Sequence, residues 1–182
     1  MKKWLAILLA VFLLTGCTHQ SPGTLLPDDT GPDTPPTPTT PEGDIIYSLA
    51  YYPDRSLNPY QSTDYTNRVL FSLIYQGLFS VDNSYTPYPI LCDTYNVSAD
   101  LRTWTFNLAA ATFSDGTAVT GNDVAASLTA AKGSAWYANR LQHVTKITAL
   151  DNTVVLQLDT PFENLPLLLD IPIVKASQVS AD

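Results

Sequence analysis

Residues 103–124, with the sequence TWTFNLAAATFSDGTAVTGNDV, contain the clearest signals of the fold. Trp104, Phe106 and Leu108 alternate with polar residues, and this period of two is typical of a strand with one buried face. The SDGT segment that follows predicts a turn, because Gly116 can adopt a positive φ at no steric cost. The stretch therefore predicts a half-buried strand that turns toward a second element.

That second element is predicted to be an amphipathic helix. Thr120 stands three residues before Asp123, which is the spacing of a capping box. Apolar residues then recur at helical spacing, at Val124, Ala125, Leu128 and Ala131. Strand, turn and helix thus follow one another within about thirty residues, as expected for layers packed around one core.

Signals of regular structure continue on both sides of this stretch. Downstream, apolar segments at 147–150 and 153–158 flank Asp151-Asn152 and predict an antiparallel hairpin. Residues 164–169 predict a short helix or a buried turn, and residues 45–49 predict a first strand that is buried. The alternation of strand and helix signals favours an α/β or α+β architecture.

A further helix is predicted after residue 62. Thr63 and Asp64 are candidate N-caps. Apolar residues at spacings of three and four predict one stripe facing the core: Val69, Leu70, Leu73, Ile74 and Leu78. Gly77 is expected to close this helix in the left-handed conformation.

The N-terminus has the pattern of an export signal. Two lysines precede ten apolar residues at 5–14, and ten helical residues span about 15 Å, half of a hydrocarbon core of about 30 Å. Leu14-Thr15-Gly16-Cys17 resembles the lipobox of bacterial lipoproteins. The interpretation is a signal peptide over 1–16 and lipidation of Cys17, with a buried cysteine after an ordinary signal as the alternative. The protein is expected to be exported and lipid-anchored to the bacterial cell membrane, facing outside the cytoplasm.

Residues 17–43 are rich in proline and threonine and lack apolar periodicity. Such a composition cannot bury enough surface to offset the entropy of ordering, and prolines favour extended polyproline II. We predict a tether that holds the folded part, residues 44–182, off the membrane.

Charge and residue inventory exclude several function classes. Nine Lys and Arg against 17 Asp and Glu give a net charge of −8, which argues against nucleic acid as a partner. Two cysteines and two histidines leave little for a metal site, so neither a metal nor a cofactor is predicted.

No phosphate loop, dinucleotide fingerprint or nucleophile elbow is present. His143 is interpreted as a surface or structurally bonded residue, Cys92 as a buried thiol and Asp115 as a turn former, so no enzyme is predicted.

Four blocks in order resemble family 5 of the extracellular solute-binding proteins, the peptide-, dipeptide- and nickel-binding components of ABC importers. Leu57-Asn58-Pro59-Tyr60 resembles the family's LNP segment, and residues 73–79, LIYQGLF, resemble its LYEGL helix end. Residues 104–124 look like the signature WTFxLR…xFSDGTPxTAxDV, and residues 150–158 are similar to the hairpin that follows it.

The resemblance implies an α/β fold in which residues 44–182 form the N-terminal part of a type II periplasmic-binding-protein-like first lobe, with an incomplete, mixed sheet and flanking helices. Family members are longer and enclose the ligand between two lobes, so the resemblance implies a truncated gene product or fragment. Asn107-Leu108-Ala109 and Gly121-Asn122 depart from the signature. These departures are expected to change surface and cap chemistry only.

The function implied by the resemblance is that of a substrate-binding lipoprotein of an ABC importer, which captures an oligopeptide or other small solute for transport. The implied partners are that solute, the ABC permease and ATPase subunits, and the membrane through the lipid anchor. The alternative is a small surface lipoprotein that reuses the lobe as a structural or interaction module. An exported hydrolase is a third possibility, and the missing pair of nucleophile and base argues against it.

The resemblance also suggests where a ligand would be contacted. Thr63, Asp64 and Tyr65 occupy the positions that approach the ligand after the LNP segment, and Trp136 or Tyr137 occupies the place of a pocket aromatic after the signature helix. Aromatic rings with a polar tip suit a promiscuous pocket. A purely structural role remains the alternative, with Thr63 or Asp64 as the helix cap and Tyr65 packed on the helix.

Overall fold

The computed structural model describes residues 48–181. The predicted signal peptide (1–16), Cys17, the tether (17–43) and residues 45–47 of the first strand lie outside the described residues. Between residues 48 and 181, no helix combines the length and apolar character that a membrane crossing requires.

Within this range the chain forms two α-helices, six strands and three short 3₁₀ segments. In chain order, the helices and strands are α1 (Tyr65–Ile74), β1 (Phe79–Val81), β2 (Pro87–Pro89), β3 (Cys92–Val97), β4 (Thr103–Leu108), α2 (Gly121–Ala131), β5 (Val144–Leu150) and β6 (Thr153–Leu158). The 3₁₀ segments are Ala138–Leu141, Leu165–Leu168 and Ala176–Gln178.

The main sheet has four strands in the order β3-β4-β6-β5, and β1 and β2 form a separate two-stranded sheet. In the central pair, Trp104 lies opposite Leu156 and Phe106 opposite Val154. Helices beside a sheet agree with the predicted fold class. The pairings among the described strands are all antiparallel, whereas the resemblance implied a mixed sheet.

Strand β4 alternates as predicted. Trp104, Phe106 and Leu108 are buried, and the residues between them are partly exposed. Helix α2 packs against β5 and β6 and buries Val124 and Leu128 completely. The core therefore lies between this helix and the sheet, as the period-two and helical patterns indicated.

The local signals around β4 and α2 are also confirmed. Thr120 accepts a hydrogen bond from the Asp123 amide through its side chain, and the Asp123 carboxylate accepts one from the Thr120 amide, so the capping box is complete. Gly116 has a φ of 83° in the predicted turn. The hairpin turns at Asp151 with a φ of 49°, and one of the 3₁₀ segments, Leu165–Leu168, forms where a short helix or turn was predicted.

Helix α1 overturns part of the prediction. Val69, Leu73 and Ile74 are exposed, Leu73 by 67%, while Asn67 and Phe71 face inward. The reason is a polar anchor: the Asn67 side chain accepts a hydrogen bond from the Tyr52 amide and donates to the Tyr52 carbonyl. Val69 and Leu73 follow Asn67 by two and six residues, at about 200° and 240° around the helix, so anchoring Asn67 turns them outward. Ile74 is exposed at the last position of the helix.

The end of α1 differs from the prediction as well. The helix stops at Ile74, and Tyr75 follows with extended φ and ψ of −117° and 154°. Gly77 is not left-handed; it is required because a Cβ there would lie 2.9 Å from the carbonyl oxygens of Leu169 and Phe79. Close backbone packing, and not helix capping, explains this glycine.

Two smaller expectations are also corrected. Leu49 is exposed and belongs to no strand, so the described end of the predicted first strand is neither extended in a sheet nor buried. Gly121 was expected to alter surface and cap chemistry only, but it is buried against the β5–β6 hairpin. A Cβ on Gly121 would lie 2.6 Å from the Asp151 carbonyl oxygen, so the departure from the signature permits close packing.

Candidate functional site

The loop before α1 presents the first three candidate residues in different ways. Asp64 is the N-cap, because its carboxylate accepts a hydrogen bond from the Asn67 amide at 3.0 Å. Of the two candidate N-caps, Thr63 and Asp64, it is Asp64 that caps the helix. Thr63 is exposed, and Tyr65 is 71% exposed and does not pack on the helix. Thr63 and Tyr65 are therefore free to contact a solute from the start of α1.

Trp136 is held against this same loop. It lies between α2 and the 3₁₀ segment Ala138–Leu141, and its indole Nε1 donates a hydrogen bond to the Ser62 carbonyl oxygen at 2.6 Å. Ser62 directly precedes the three candidate residues. The tertiary structure thus brings together two parts of the chain that are more than seventy residues apart.

Tyr137 is a buried neighbour of the site, with 4% of its surface exposed. Its ring contacts Tyr60 edge to face, with the two ring centroids 6.5 Å apart, and the Tyr60 hydroxyl donates to the Pro172 carbonyl oxygen at 2.5 Å. Burial raises the pKa of the Tyr137 phenol above its usual value, although the guanidinium groups of Arg68 and Arg140 oppose this shift. Tyr137 therefore stays protonated and can act as a hydrogen-bond donor.

Two arginines complete the cluster, and the sequence interpretation did not include them. The guanidinium carbon of Arg68 lies 4.3 Å from the Trp136 ring centroid, and that of Arg140 lies 5.6 Å from the Tyr137 ring centroid. Arg140 also forms an ion pair with Asp170. The available signal was the spacing of three between Tyr65 and Arg68, which places both on neighbouring positions of one helix face.

A cavity of about 170 Å³ opens beside these side chains. Its wall includes two guanidinium groups, two phenols and one carboxylate, from Arg68, Arg140, Tyr75, Tyr137 and Asp170. Of the five candidate residues, Tyr137 lines this cavity. The Trp136 ring contacts Arg68, which is one of the two arginines in the cavity wall. Charged hydrogen-bond donors next to aromatic surface can bind a small polar solute.

A second, larger cleft of about 510 Å³ lies between the end of α1 and the signature turn, and none of the five candidate residues lines it. Asp115 forms an ion pair with Lys175 at this cleft, and its carboxylate also accepts hydrogen bonds from the amide and hydroxyl of Thr117. The hydrogen bond from Lys175, followed by those from Thr117, holds the pKa of Asp115 well below its usual value. The interpretation of Asp115 as a turn former is confirmed.

The remaining reactive side chains are placed as the sequence indicated. His143 is half-exposed, with its Nδ1 3.0 Å from the Asp159 carboxylate. Cys92 is buried, and burial raises the pKa of its thiol to about 11. Among residues 48–181, no group of three or more His, Cys, Asp or Glu side chains could hold a metal ion.

Comparison with known proteins gives the same family as the sequence blocks. The family described as bacterial extracellular solute-binding proteins, family 5 Middle, matches residues 86–182. The glutathione-binding protein GsiB of Pectobacterium atrosepticum is 33% identical over 115 residues, which are 59% of this chain and 22% of that protein. The chain thus spans less than a quarter of the length of this curated relative.

Solved structures of binding proteins are similar to this chain. The periplasmic binding protein AgaA of A. tumefaciens R10, in complex with agropinic acid, is 32% identical with a TM-score of 0.58, over 69% of this chain and 27% of AgaA. NikZ of Campylobacter jejuni, in complex with Ni(L-His), shares the fold at 20% identity with a TM-score of 0.59, over 74% of this chain and 28% of NikZ. Because the family match covers more than half of the sequence, the chain belongs to family 5 of the bacterial extracellular solute-binding proteins.

Proposed function

We propose that this chain captures a peptide or similar small solute outside the cytoplasm for an ABC importer. The observation that carries the proposal is the family match over residues 86–182. It is supported by two relatives above 30% identity, which are a glutathione-binding protein and a binding protein in complex with agropinic acid. The proposed partners are the solute and the permease and ATPase subunits of the importer.

The proposed solute-binding surface includes Thr63, Asp64, Tyr65, Trp136 and Tyr137. Tyr65 and Thr63 contact the solute directly, since both are exposed at the start of α1. Asp64 supports this surface indirectly, because it caps α1 and so fixes the start of the helix. Trp136 and Tyr137 shape the adjoining wall, which is supported by the Trp136 hydrogen bond to Ser62 and by the position of Tyr137 in the smaller cavity.

The test is a calorimetric titration of the full 182-residue chain with a panel of di- to pentapeptides, glutathione and an opine. Binding of one class is expected, and Tyr65→Ala should weaken it at least tenfold, because the variant removes an exposed aromatic contact. Tyr85→Ala is the matched control, since Tyr85 is 81% exposed in the turn between β1 and β2. An equal loss in both variants would contradict the placement of the site.

The proposal includes a lipid anchor at Cys17, preceded by a signal peptide over 1–16 and followed by the tether at 17–43. Two acyl chains on Cys17 would hold the protein stably at the membrane, because each buried CH₂ contributes about 0.8 kcal/mol. Cys17→Ser is expected to abolish labelling by radioactive palmitate and to release the protein from the membrane fraction. Membrane retention with unchanged acyl labelling would overturn the anchor.

A second candidate function is a structural or interaction module on the cell surface. The observation that favours it is the exposed apolar stripe on α1, formed by Tyr65, Val69 and Leu73. Exposed apolar patches on soluble domains commonly mark interaction surfaces. The titration separates the two functions, because an interaction module should bind no member of the solute panel.

A further inference from the structure

We infer that the solute carries a carboxylate and that Arg68 binds it. The inference rests on the proposed solute-binding function and adds the chemical class of the solute and a specificity-determining residue. It is drawn from the contacts of Arg68, the charge balance of the smaller cavity and the size of that cavity.

The charge of Arg68 is not balanced by a carboxylate of the described residues. Within residues 48–181, the ion pair at this cavity joins Arg140 to Asp170, and no carboxylate of that range lies within 4.0 Å of the Arg68 guanidinium. Two arginines against one aspartate leave the cavity wall with a formal charge of +1. A single negative charge on the solute would neutralise it.

Arg68 is also held in place before any solute arrives. Its guanidinium lies 4.3 Å from the centroid of the Trp136 ring, and that indole is in turn fixed by its hydrogen bond to Ser62. The contact with Trp136 and an interaction with the Tyr137 hydroxyl use only part of the guanidinium, whose five N–H groups leave donors for a solute. Because those N–H groups form a rigid planar fork, they match the two oxygens of a carboxylate.

The surroundings favour a singly charged carboxylate over a more highly charged anion. The cavity measures about 170 Å³. A water molecule takes about 30 Å³ of liquid, so this space admits a carboxylate with a few adjoining atoms. The phenol of Tyr137 lines the same cavity and can donate a further hydrogen bond, whereas the Tyr75 hydroxyl already donates to the Leu57 carbonyl oxygen at 3.4 Å. An inorganic phosphate with nearly two charges would leave one of them unbalanced.

The position of this site in an acidic chain adds selectivity. Residues 48–181 hold 11 acidic and 7 basic side chains, a formal charge of −4, so this part of the chain as a whole repels an anion. A local positive group at the cavity therefore discriminates between a solute with a free carboxylate and the same solute without one. Its loss should affect the acid and leave the neutral analogue unchanged.

The experiment titrates the full chain with two peptide sets, di- to pentapeptides with free carboxyl ends and the same peptides amidated at that end. We expect the free acids to bind at least tenfold more tightly, which corresponds to about 1.4 kcal/mol. Arg68→Gln should lower the affinity for the acids to that for the amides. Arg102→Gln, at an exposed arginine before β4, is the matched control and should change neither affinity.

Folding is checked by the thermal unfolding of each variant. If Arg68→Gln fails to fold, Arg68→Lys tests the inference instead. This variant keeps the positive charge but loses the planar fork, so it should retain only part of the tenfold preference for the acids. Equal binding of acids and amides, an unchanged preference in the Arg68 variants, or equally strong competition by inorganic phosphate overturns the inference while the proposed function stands. Absence of binding by either set overturns both.

Discussion

Phe106 lies at the centre of an aromatic cluster in the core. Its ring centroid lies 5.9 Å from that of Phe79 and 6.0 Å from those of Tyr95 and Trp104. The rings of Trp104 and Phe106 are nearly parallel, with an interplanar angle of 12°. Such aromatic pairs stabilise the fold by more than the area that they bury, so single side chains of β4 contribute a large share of the stability of the core.

Removal of either central ring should therefore be costly. We expect Trp104→Ala and Phe106→Ala each to lower the free energy of unfolding by about 3–5 kcal/mol, since each leaves a cavity in a packed core. Urea unfolding measures this cost. Leu73→Ala is the control, because Leu73 is exposed on α1, and it should change stability by less than about 0.5 kcal/mol. A comparable loss in the control would mean that the α1 stripe is buried after all.

At the scale of elements, the start of α2 links the helix to the later chain. One oxygen of the Asp123 carboxylate accepts the Thr120 amide at 2.9 Å, and the other accepts the Ala176 amide at 2.8 Å. The capping box therefore also holds the 3₁₀ segment Ala176–Gln178 against the helix. The helix cap, which was predicted from local sequence, thus also forms a tertiary contact with Ala176.

This carboxylate should make stability depend on pH. Burial raises the pKa of Asp123, but the hydrogen bonds from Ala176 and Thr120 outweigh burial and leave the pKa below its usual value. A carboxyl group with a lowered folded-state pKa stabilises the protein above its unfolded pKa of about 3.9, and this contribution is lost as the pH falls through the folded-state pKa.

Asp123→Asn should therefore be less stable than the original protein at pH 6 and should lose less stability on acidification. Urea unfolding at a series of pH values from 6 downward measures both effects. Glu163→Gln, at an exposed carboxyl group, is the control and should keep the acid-dependent loss. The same loss on acidification in Asp123→Asn would contradict the role of this carboxylate.

At the scale of the molecule, the loop before α1 forms hydrogen bonds with the last described residues. The Asn58 amide nitrogen donates to the carbonyl oxygens of Val179 and Ala181 at 3.0 and 2.6 Å, and its oxygen accepts from the Tyr60 amide at 2.9 Å. The Tyr60 hydroxyl binds the Pro172 carbonyl oxygen. The LNPY block of the family thus joins segments more than 110 residues apart.

Asn58→Ala should destabilise the fold by about 1–3 kcal/mol, because it leaves the buried Tyr60 amide and the half-buried Val179 carbonyl without their partner. Gln61→Ala is the matched control: Gln61 also donates to this segment, at the Ser180 carbonyl oxygen, but it is exposed. Its loss should change stability by about 0.5 kcal/mol or less. Urea unfolding of both variants measures the difference, and equal effects would show that Asn58 is not the main link.

The elements that could be predicted from the sequence are those whose causes lie within a few residues. Alternation in β4 follows from the period of two, and the start of α2 follows from the capping box between Thr120 and Asp123. Gly116 adopts the positive φ that a turn of this kind permits. The family itself was also readable, because its signature blocks are contiguous runs of sequence.

The rotation of these elements and the contacts between their side chains depend on tertiary packing. The rotation of α1 depends on the bond between Asn67 and the Tyr52 backbone, a polar contact that apolar periodicity does not report. The cluster of Arg68, Trp136 and Tyr137 joins positions about seventy residues apart. Because such contacts arise from the packing of separate segments, no local pattern encodes them, and the arginine that we propose as the carboxylate-binding residue emerged only from the folded chain.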